Sequence, residues 1–278
     1  MSYRNILVHV DSGPHVEARV RYALQLADSY NAHLTGVFVA TSAYLAPLGP
    51  DAAAAEVYYS INQDLEKDAA AARIRFEQWT QAYRERSSWQ QHIGLPAAGL
   101  SLSARYHDLL VLGQTEPGVP VDGLPVDLVQ SVVLGSGRPA LVLPYAGEAH
   151  LARQHALVAW NGSREATRAL TDALPLLRRS AKVTVLTISP DIGPDGHGEQ
   201  PGADIALYLA RHDVKVTVAQ DVGIGRDIGA SLLSWSADHG VDLIVMGLYG
   251  HSRLREFIMG GASRTMLNTM TVPVFMSH

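Results

Sequence analysis

The segment with the plainest chemical potential is Gly247-Leu-Tyr-Gly250-His-Ser-Arg-Leu-Arg-Glu-Phe-Ile-Met-Gly260-Gly261-Ala-Ser263. Glycines let a backbone come close to a phosphate, and the amides that open the helix after Gly260 offer unsatisfied N–H donors to an anion. The same spacing suits a strand-exit turn with a close helix–sheet contact, and the residues alone leave both readings open. His251, Arg253, Arg255 and Arg264 flank the glycines, where they could screen phosphate charge or cover a ligand, or simply be solvated. An earlier stretch, Gly113-Gln-Thr-Glu116-Pro-Gly-Val-Pro, matches in outline but places Glu116 at the second glycine position. It is followed by Val126-Asp127 where the later segment has Gly260-Gly261. Two carboxylates would repel phosphate, so the earlier copy is expected not to bind there.

Other patterns promise less. Gly223-Ile-Gly225-Arg-Asp-Ile-Gly229 has the look of a dinucleotide fingerprint, but it follows a third strand instead of a first and reads as a strand-to-helix turn. Asp195, His197 and Glu199 are metal-ligand types, yet their setting among Gly and Pro in the loop Asp191 to Asp204 reads as a solvated connection. No histidine pair has metalloprotease spacing, so no metal site is assigned. Ser12 and Ser163 have neither a recognisable His and Asp pairing nor a nucleophile elbow, and the phosphate-binding Gly-x4-Gly-Lys-Ser/Thr loop is missing. No catalytic residue is assigned, and any ATP hydrolysis is expected to be weak.

The elements that must carry these residues occur twice. Asn5-Ile-Leu-Val-His-Val-Asp11-Ser-Gly13 and His155-Ala-Leu-Val-Ala-Trp-Asn161-Gly-Ser163 are each a short apolar run ending in Asp or Asn and a turn. Helix-period segments follow at Val16 to Ser29 and Arg164 to Arg179, then second apolar runs at Leu34 to Val39 and Val183 to Ile188. Third strands are predicted at Trp89 to Ile93 and Val214 to Ala219, with helices around Ala97 to Tyr106 and Arg226 to His239. The halves close alike, His107-Asp-Leu-Leu-Val-Leu-Gly113 against Val241-Asp-Leu-Ile-Val-Met-Gly247, and Arg138-Pro-Ala-Leu-Val-Leu-Pro144 against Val272-Pro-Val-Phe-Met276. Five strands alternating with four helices in each half give an α/β chain of two tandem, doubly wound, five-stranded parallel-sheet domains. The boundary falls near Tyr145 to Gln154, for domains of 1–147 and 152–278. The offset between halves is 150 at the first strand (Asn5 to His155) and 134 after the fourth (Gly113 to Gly247), so the first half carries 16 extra residues. They are expected in a loop from Pro47 to Ala55 and a helix from Asn62 to Arg86.

Composition bounds the partners. At 278 residues and a net charge of −5, the chain has no basic surplus to neutralise a run of duplex phosphates, so nucleic acid is not expected as a partner. The absence of cysteine excludes disulfides and thiol chemistry and suits a cytoplasmic setting. No apolar run reaches the length of about 18 residues that a membrane-spanning helix needs.

At these residues the chain resembles a tandem universal stress protein over both halves. The nucleotide-binding branch of that family has a glycine, two residues, a glycine, nine residues, a glycine, then usually Ser or Thr. Gly247, Gly250 and Gly260 match, Gly261 replaces the hydroxyl residue, and Ser263 stands two positions beyond. The family's Asp at the end of strand one, near adenine and ribose, corresponds to Asn161 in the second half and to Asp11 in the first. Ile188 falls where the family packs adenine through backbone contacts. The resemblance implies a Rossmann-like fold akin to adenine nucleotide alpha hydrolases, an adenine nucleotide (ATP, with Mg as a companion) in the second half, and a regulatory, non-catalytic role in stress response. The alternatives are an interaction scaffold with both sites empty and a slow ATPase. The family also implies assembly through the last strand, and Thr271 to Ser277 could pair between halves or between chains; protein partners are unknown and a homodimer is one outcome.

Overall fold

Apolar runs such as Ile6–Val8, Leu109–Val111, Leu157–Val158 and Leu243–Val245 are buried along their length, as strands must be when helices cover both faces of a parallel sheet. The computed structural model describes residues 2–41, 52–119, 124–146, 155–188, 202–221, 227–249 and 261–278. By packing they form two units, one of Tyr3–Arg138 and one built on Pro139–His278.

The first unit runs β1 (Asn5–His9), α1 (Val16–Tyr30), β2 (His33–Thr41), α2 (Ala52–Trp79), a 3-10 turn (Gln81–Arg86), β3 (Ser87–Gly94), α3 (Pro96–Ala104), β4 (Leu109–Gly113) and α4 (Leu128–Ser136). Its strands lie in the order β3-β2-β1-β4, and the pairings of β1 with β2 and β4 and of β2 with β3 are parallel. The second unit runs β5 (Ala140–Leu143), β6 (His155–Ala159), α5 (Arg164–Leu177), β7 (Lys182–Ile188), α6 (Ala203–Arg211), β8 (Val216–Asp221), α7 (Ile228–Asp238), β9 (Leu243–Gly247), α8 (Gly261–Thr269) and β10 (Val274–Ser277). Its order is β5-β10-β9-β6-β7-β8, parallel except where β5 meets β10. Among the described residues no helix is long and apolar enough to cross a membrane.

The sequence repeat divides at 147/152, whereas packing divides the chain between Arg138 and Pro139, because β5 pairs through Ala140, Leu141 and Val142 with Met276, Phe275 and Val274 of β10. The last strand, expected as an edge, therefore has partners on both sides. The Asp shared by the two closing motifs has a structural task in each unit. Asp108 Oδ2 accepts the N–H groups of Arg4 and Asn5 at 2.7 and 2.9 Å, and Asp242 Oδ1 accepts that of His155 at 3.3 Å. Each carboxylate pins the start of the first strand to the start of the fourth.

The extra length of the first half goes largely into α2, 28 residues against nine in α6. The helix expected from Asn62 instead begins at Ala52, as befits the strong helix former repeated over Ala52–Ala55. It ends at Trp79, where Thr80 turns its hydroxyl back to Phe76 O at 2.8 Å, and Gln81–Arg86 forms the 3-10 turn. Pro47 to Asp51, the remainder of the expected loop, lies outside the described residues.

Phe76 docks α2 onto the sheet at Gly36 of β2, where a Cβ would stand 2.7 to 2.9 Å from three ring atoms. Gly36→Ala is expected to lower stability by about 1–3 kcal/mol through overpacking, and Phe76→Ala by about 3–5 kcal/mol through the cavity it leaves. In urea unfolding, Gly36→Ala combined with Phe76→Leu should cost less than the sum of the single changes, because the leucine lacks the ring atoms that press on residue 36.

Candidate functional site

In the second unit the chain steps from β6 to β7 and β8 on one side, while β9 and β10 lie on the other. The strand order thus reverses between β6 and β9, and an open α/β sheet offers its binding crevice at the carboxyl ends there. Gly247 ends β9 against the first turn of α5: a Cβ would stand 2.6 Å from Ala166 N and from Glu165 C, so only glycine fits. Leaving β6, Asn161 Oδ1 accepts the N–H of Ser163 at 3.1 Å, and Ser163 Oγ in turn caps α5 by accepting the N–H of Ala166 at 3.1 Å. Ser163 is a helix cap, and Asn161 is exposed beside it. Glu165, which sequence reading passed over, is buried in the same turn with Oε1 3.3 Å from Arg164 Nη2.

Beyond Gly247 the chain passes through Leu248 to Tyr249, whose φ of 58° places it in the left-handed region. The Tyr249 N–H donates to the buried Ser263 Oγ at 3.3 Å, which ties the end of β9 to the third residue of α8. That bond uses the hydroxyl of Ser263 as an acceptor and leaves its proton for another partner. Gly261 is the exposed first residue of α8, and Arg264 is exposed on the same helix. Ile188 ends β7, half-buried and in register with Asp221. Thr187, beside it, is buried with no partner for its hydroxyl among the described residues. Gly250, Gly260, His251, Arg253 and Arg255 lie outside the described residues, as do Asp195, His197 and Glu199. Of the Gly223 to Gly229 motif only Asp227, Ile228 and Gly229 are described. Gly229 serves the contact of α7 with α8, where a Cβ would stand 2.8 Å from Thr265 Cβ and 2.9 Å from Ala262 O.

The first unit makes the same turn after β1, with Asp11 Oδ1 accepting the N–H of Gly13 at 2.9 Å. It then fills the strand ends from within. Arg19 of α1 is buried, its Nη2 2.6 Å from Asp11 Oδ2 and its Nε donating to His9 O at 2.8 Å. A Cβ on Gly113 would collide with Arg19 Nη1. One hundred and fifty residues later in the repeat, the position of Arg19 is held by the buried Ala169. Glu116 meets His15 Nε2 at 3.0 Å, and Asp127 Oδ2 accepts the hydroxyl of Ser131 at 3.2 Å. The sequence pointed to Glu116 and Asp127 as the first half's obstacle to phosphate, but missed Arg19. A charged residue on the apolar stripe Val16, Val20, Ala23 was the available signal.

Electrostatics follow from this burial. Burial pushes His9 down to about 4; the nearby Asp11 opposes that shift and Arg19 adds to it. Burial would raise Asp11, but the charge and hydrogen bond of Arg19 and the N–H of Gly13 outweigh it and hold the carboxyl below its usual range. His9 is therefore neutral beside an ionised Asp11–Arg19 pair. Among the described residues no group of three or more His, Asp and Glu could hold a metal ion by itself.

Residues 152–278 match the family model for the universal stress protein family. The chain as a whole has the fold of solved universal stress proteins. A universal stress protein from Archaeoglobus fulgidus DSM 4304 aligns with 98% of this chain and 97% of its own at 14% identity and a TM-score of 0.66. One from Pseudomonas aeruginosa UCBPP-PA14 aligns with 99% of this chain and 93% of its own at 14% identity and a TM-score of 0.57. A universal stress protein solved in complex with cAMP aligns with 52% of this chain and 100% of its own at 18% identity and a TM-score of 0.37. No curated protein matches the chain by sequence.

Two outcomes are expected from this geometry. Gly247→Ala sets a methyl against backbone that cannot swing away, and it should lower the thermal midpoint of the second unit, at a cost of about 1–3 kcal/mol or more. His9, whose folded value lies below its unfolded one, contributes stability that is full above pH ~6.5 and is lost as pH falls through that value toward about 4. By pH 5 the loss is on the order of 2 kcal/mol. His107 and His155, also lowered by burial, act with the same sign. Chemical denaturation at pH 7.5 and pH 5 should show His9→Gln losing only its own share of the slope.

Proposed function

We propose that the universal stress protein domain at 152–278 holds ATP at the carboxyl ends of β6 and β9, and that the chain acts as a nucleotide-responsive regulator in stress, not as an efficient enzyme. The observation that carries the reading is the joined base of the glycine loop: Gly247 seated on α5, Tyr249 bonded to Ser263 Oγ, and α8 starting at Gly261. The first amides of α8 have no helical acceptor and face the place where a phosphate would lie. The remaining hydroxyl proton of Ser263 adds a donor, the Asn161 amide lies near the sugar, and the Ile188 backbone borders the base. Gly250 and Gly260 complete the phosphate loop in this reading. Nucleotide occupancy regulates only through different affinity for two states of the protein or its complexes.

A cytoplasmic role fits a chain without cysteines. Any homodimer of whole chains uses a surface other than β10, which already has strands on both sides. One observation favours the scaffold reading instead: Asn161 Oδ1 is committed to its own turn, and residue 261 brings no hydroxyl.

Calorimetry with ATP, joined to mass spectrometry of nucleotide released from the purified protein, separates the readings. One ATP per chain is expected, and Gly250→Glu, which copies Glu116 of the first half, should abolish it. Absence of both heat and bound nucleotide would leave the scaffold. Steady ATP turnover that disappears in the same variant would make the protein a slow ATPase.

A further inference from the structure

The first unit has a cleft far from the carboxyl ends of its strands. The chain docks α2 on Gly36 by Phe76, reverses in the 3-10 turn Gln81–Arg86 and enters β3 at Ser87. Ser87 is in register with Leu34, so this elbow sits at the amino ends of β2 and β3, opposite the end that carries Asp11 and Gly113. The last turns of α2, the 3-10 turn and the start of β3 enclose about 710 Å³, within the range of small-molecule sites. The lining divides by chemistry. Trp89 and Phe76 form an aromatic wall, with ring centroids 5.5 Å apart and planes inclined at 43°, and Ile74, 56% exposed, extends the apolar surface. The indole Nε1 of Trp89 is buried and finds no acceptor among the described residues, a cost that a fold normally avoids. On the polar side, Arg73 and Glu77 answer each other, Arg73 Nε donating to Glu77 Oε1 at 2.8 Å. The exposed Arg84 has no such answer among the described residues.

We infer that this cleft binds small aromatic monocarboxylates, with the ring against Trp89 and Phe76 and the carboxylate on Arg84. One uncompensated guanidinium suits one negative charge, and its planar fork can pair with both oxygens of a carboxylate. Glu77 on the same lining opposes the several charges of a polyphosphate. A flat ring gains edge-to-face or offset contact with the indole and phenyl groups that a saturated ring lacks. An acceptor atom carried by the ligand would also answer the stranded Trp89 N–H. The second unit offers no counterpart among its described residues, since α6 has nine residues where α2 has 28 and no 3-10 turn leads into β8. None of the residues assigned to ATP in the second domain takes part, so the two readings stand or fall separately.

The test is NMR of the isotope-labelled full chain, read at the indole N–H signals of its four tryptophans, with the Trp89 signal assigned by Trp89→Phe. Indole-3-acetate should shift the Trp89 signal in a saturable titration and leave those of Trp160 and Trp235, in the second unit, in place. Indole-3-acetamide, which keeps the ring without the charge, should bind at least about tenfold more weakly. Acetate, which lacks the ring, should cause no shift at the same concentrations. Arg84→Gln changes an exposed side chain and should bring acid and amide within about threefold of each other by weakening the acid alone, with backbone spectra checking that the variant stays folded. No saturable shift of Trp89 with indole-3-acetate, or an unchanged acid-to-amide ratio in Arg84→Gln, overturns the site. A Trp89 shift that saturates at lower ATP than indole-3-acetate overturns the ligand class.

Discussion

The close passage of each fourth strand beside the first helix of its half governs what the strand ends can hold. In the second unit Gly247 lies on the backbone of Glu165 and Ala166; in the first, Gly113 lies on the guanidinium of Arg19. The strands have little freedom to move apart. β1 and β4 are paired through Ile6–Val8 and Leu109–Val111, β6 and β9 through Ala156–Val158 and Leu243–Val245, and Asp108 and Asp242 clamp the opposite ends. With register fixed at both ends, the only variable is what fills the space beside the glycine. Backbone fills it in one unit and a buried cation in the other.

That choice has electrostatic consequences. A guanidinium can be buried only if its charge and its N–H groups are answered, and Arg19 is answered by Asp11 and by the carbonyl of His9. Removing one member of such a buried pair typically costs about 3–5 kcal/mol, because the other is left as an isolated charge. The pair thus commits the first unit to a closed arrangement, with His9 forced to stay neutral beside it. The second unit has Ala169 at the corresponding place and Asn161 in place of the acid, so among the described residues no buried arginine–aspartate pair occupies its strand ends.

Much of this was legible in the sequence. The apolar runs, the two copies of the closing motif and the turn residues Asp11 and Asn161 marked the strands and their order, because buried parallel strands leave a dense apolar signature. Gly247 was legible as important but ambiguous in cause, since a glycine needed for backbone contact and one needed for phosphate look alike. Arg19 was hidden because only the fold shows that its side chain turns inward toward Asp11 instead of outward to water. The pairing of β5 with β10 could not be read from its residues, since nothing in Ala140–Leu143 names the strand that it meets.

The pairing of β5 with β10 bears on the loop itself. With β5 on one side and β9 on the other, β10 is held along both edges, and Ser277 Oγ adds a bond to Asp172 of α5 at 2.8 Å. The end of β10 then holds the exit from β9: the Leu248 N–H donates to Ser277 O at 2.9 Å, and His278 Nδ1 donates to Leu248 O at 2.8 Å. Leu248 is buried by these contacts, and the next residue, Tyr249, is the one bonded to Ser263. A chain of hydrogen bonds therefore runs from β5 through β10 and Leu248 to the base of the glycine loop. β5, which opens this unit, thereby steadies the exit from β9.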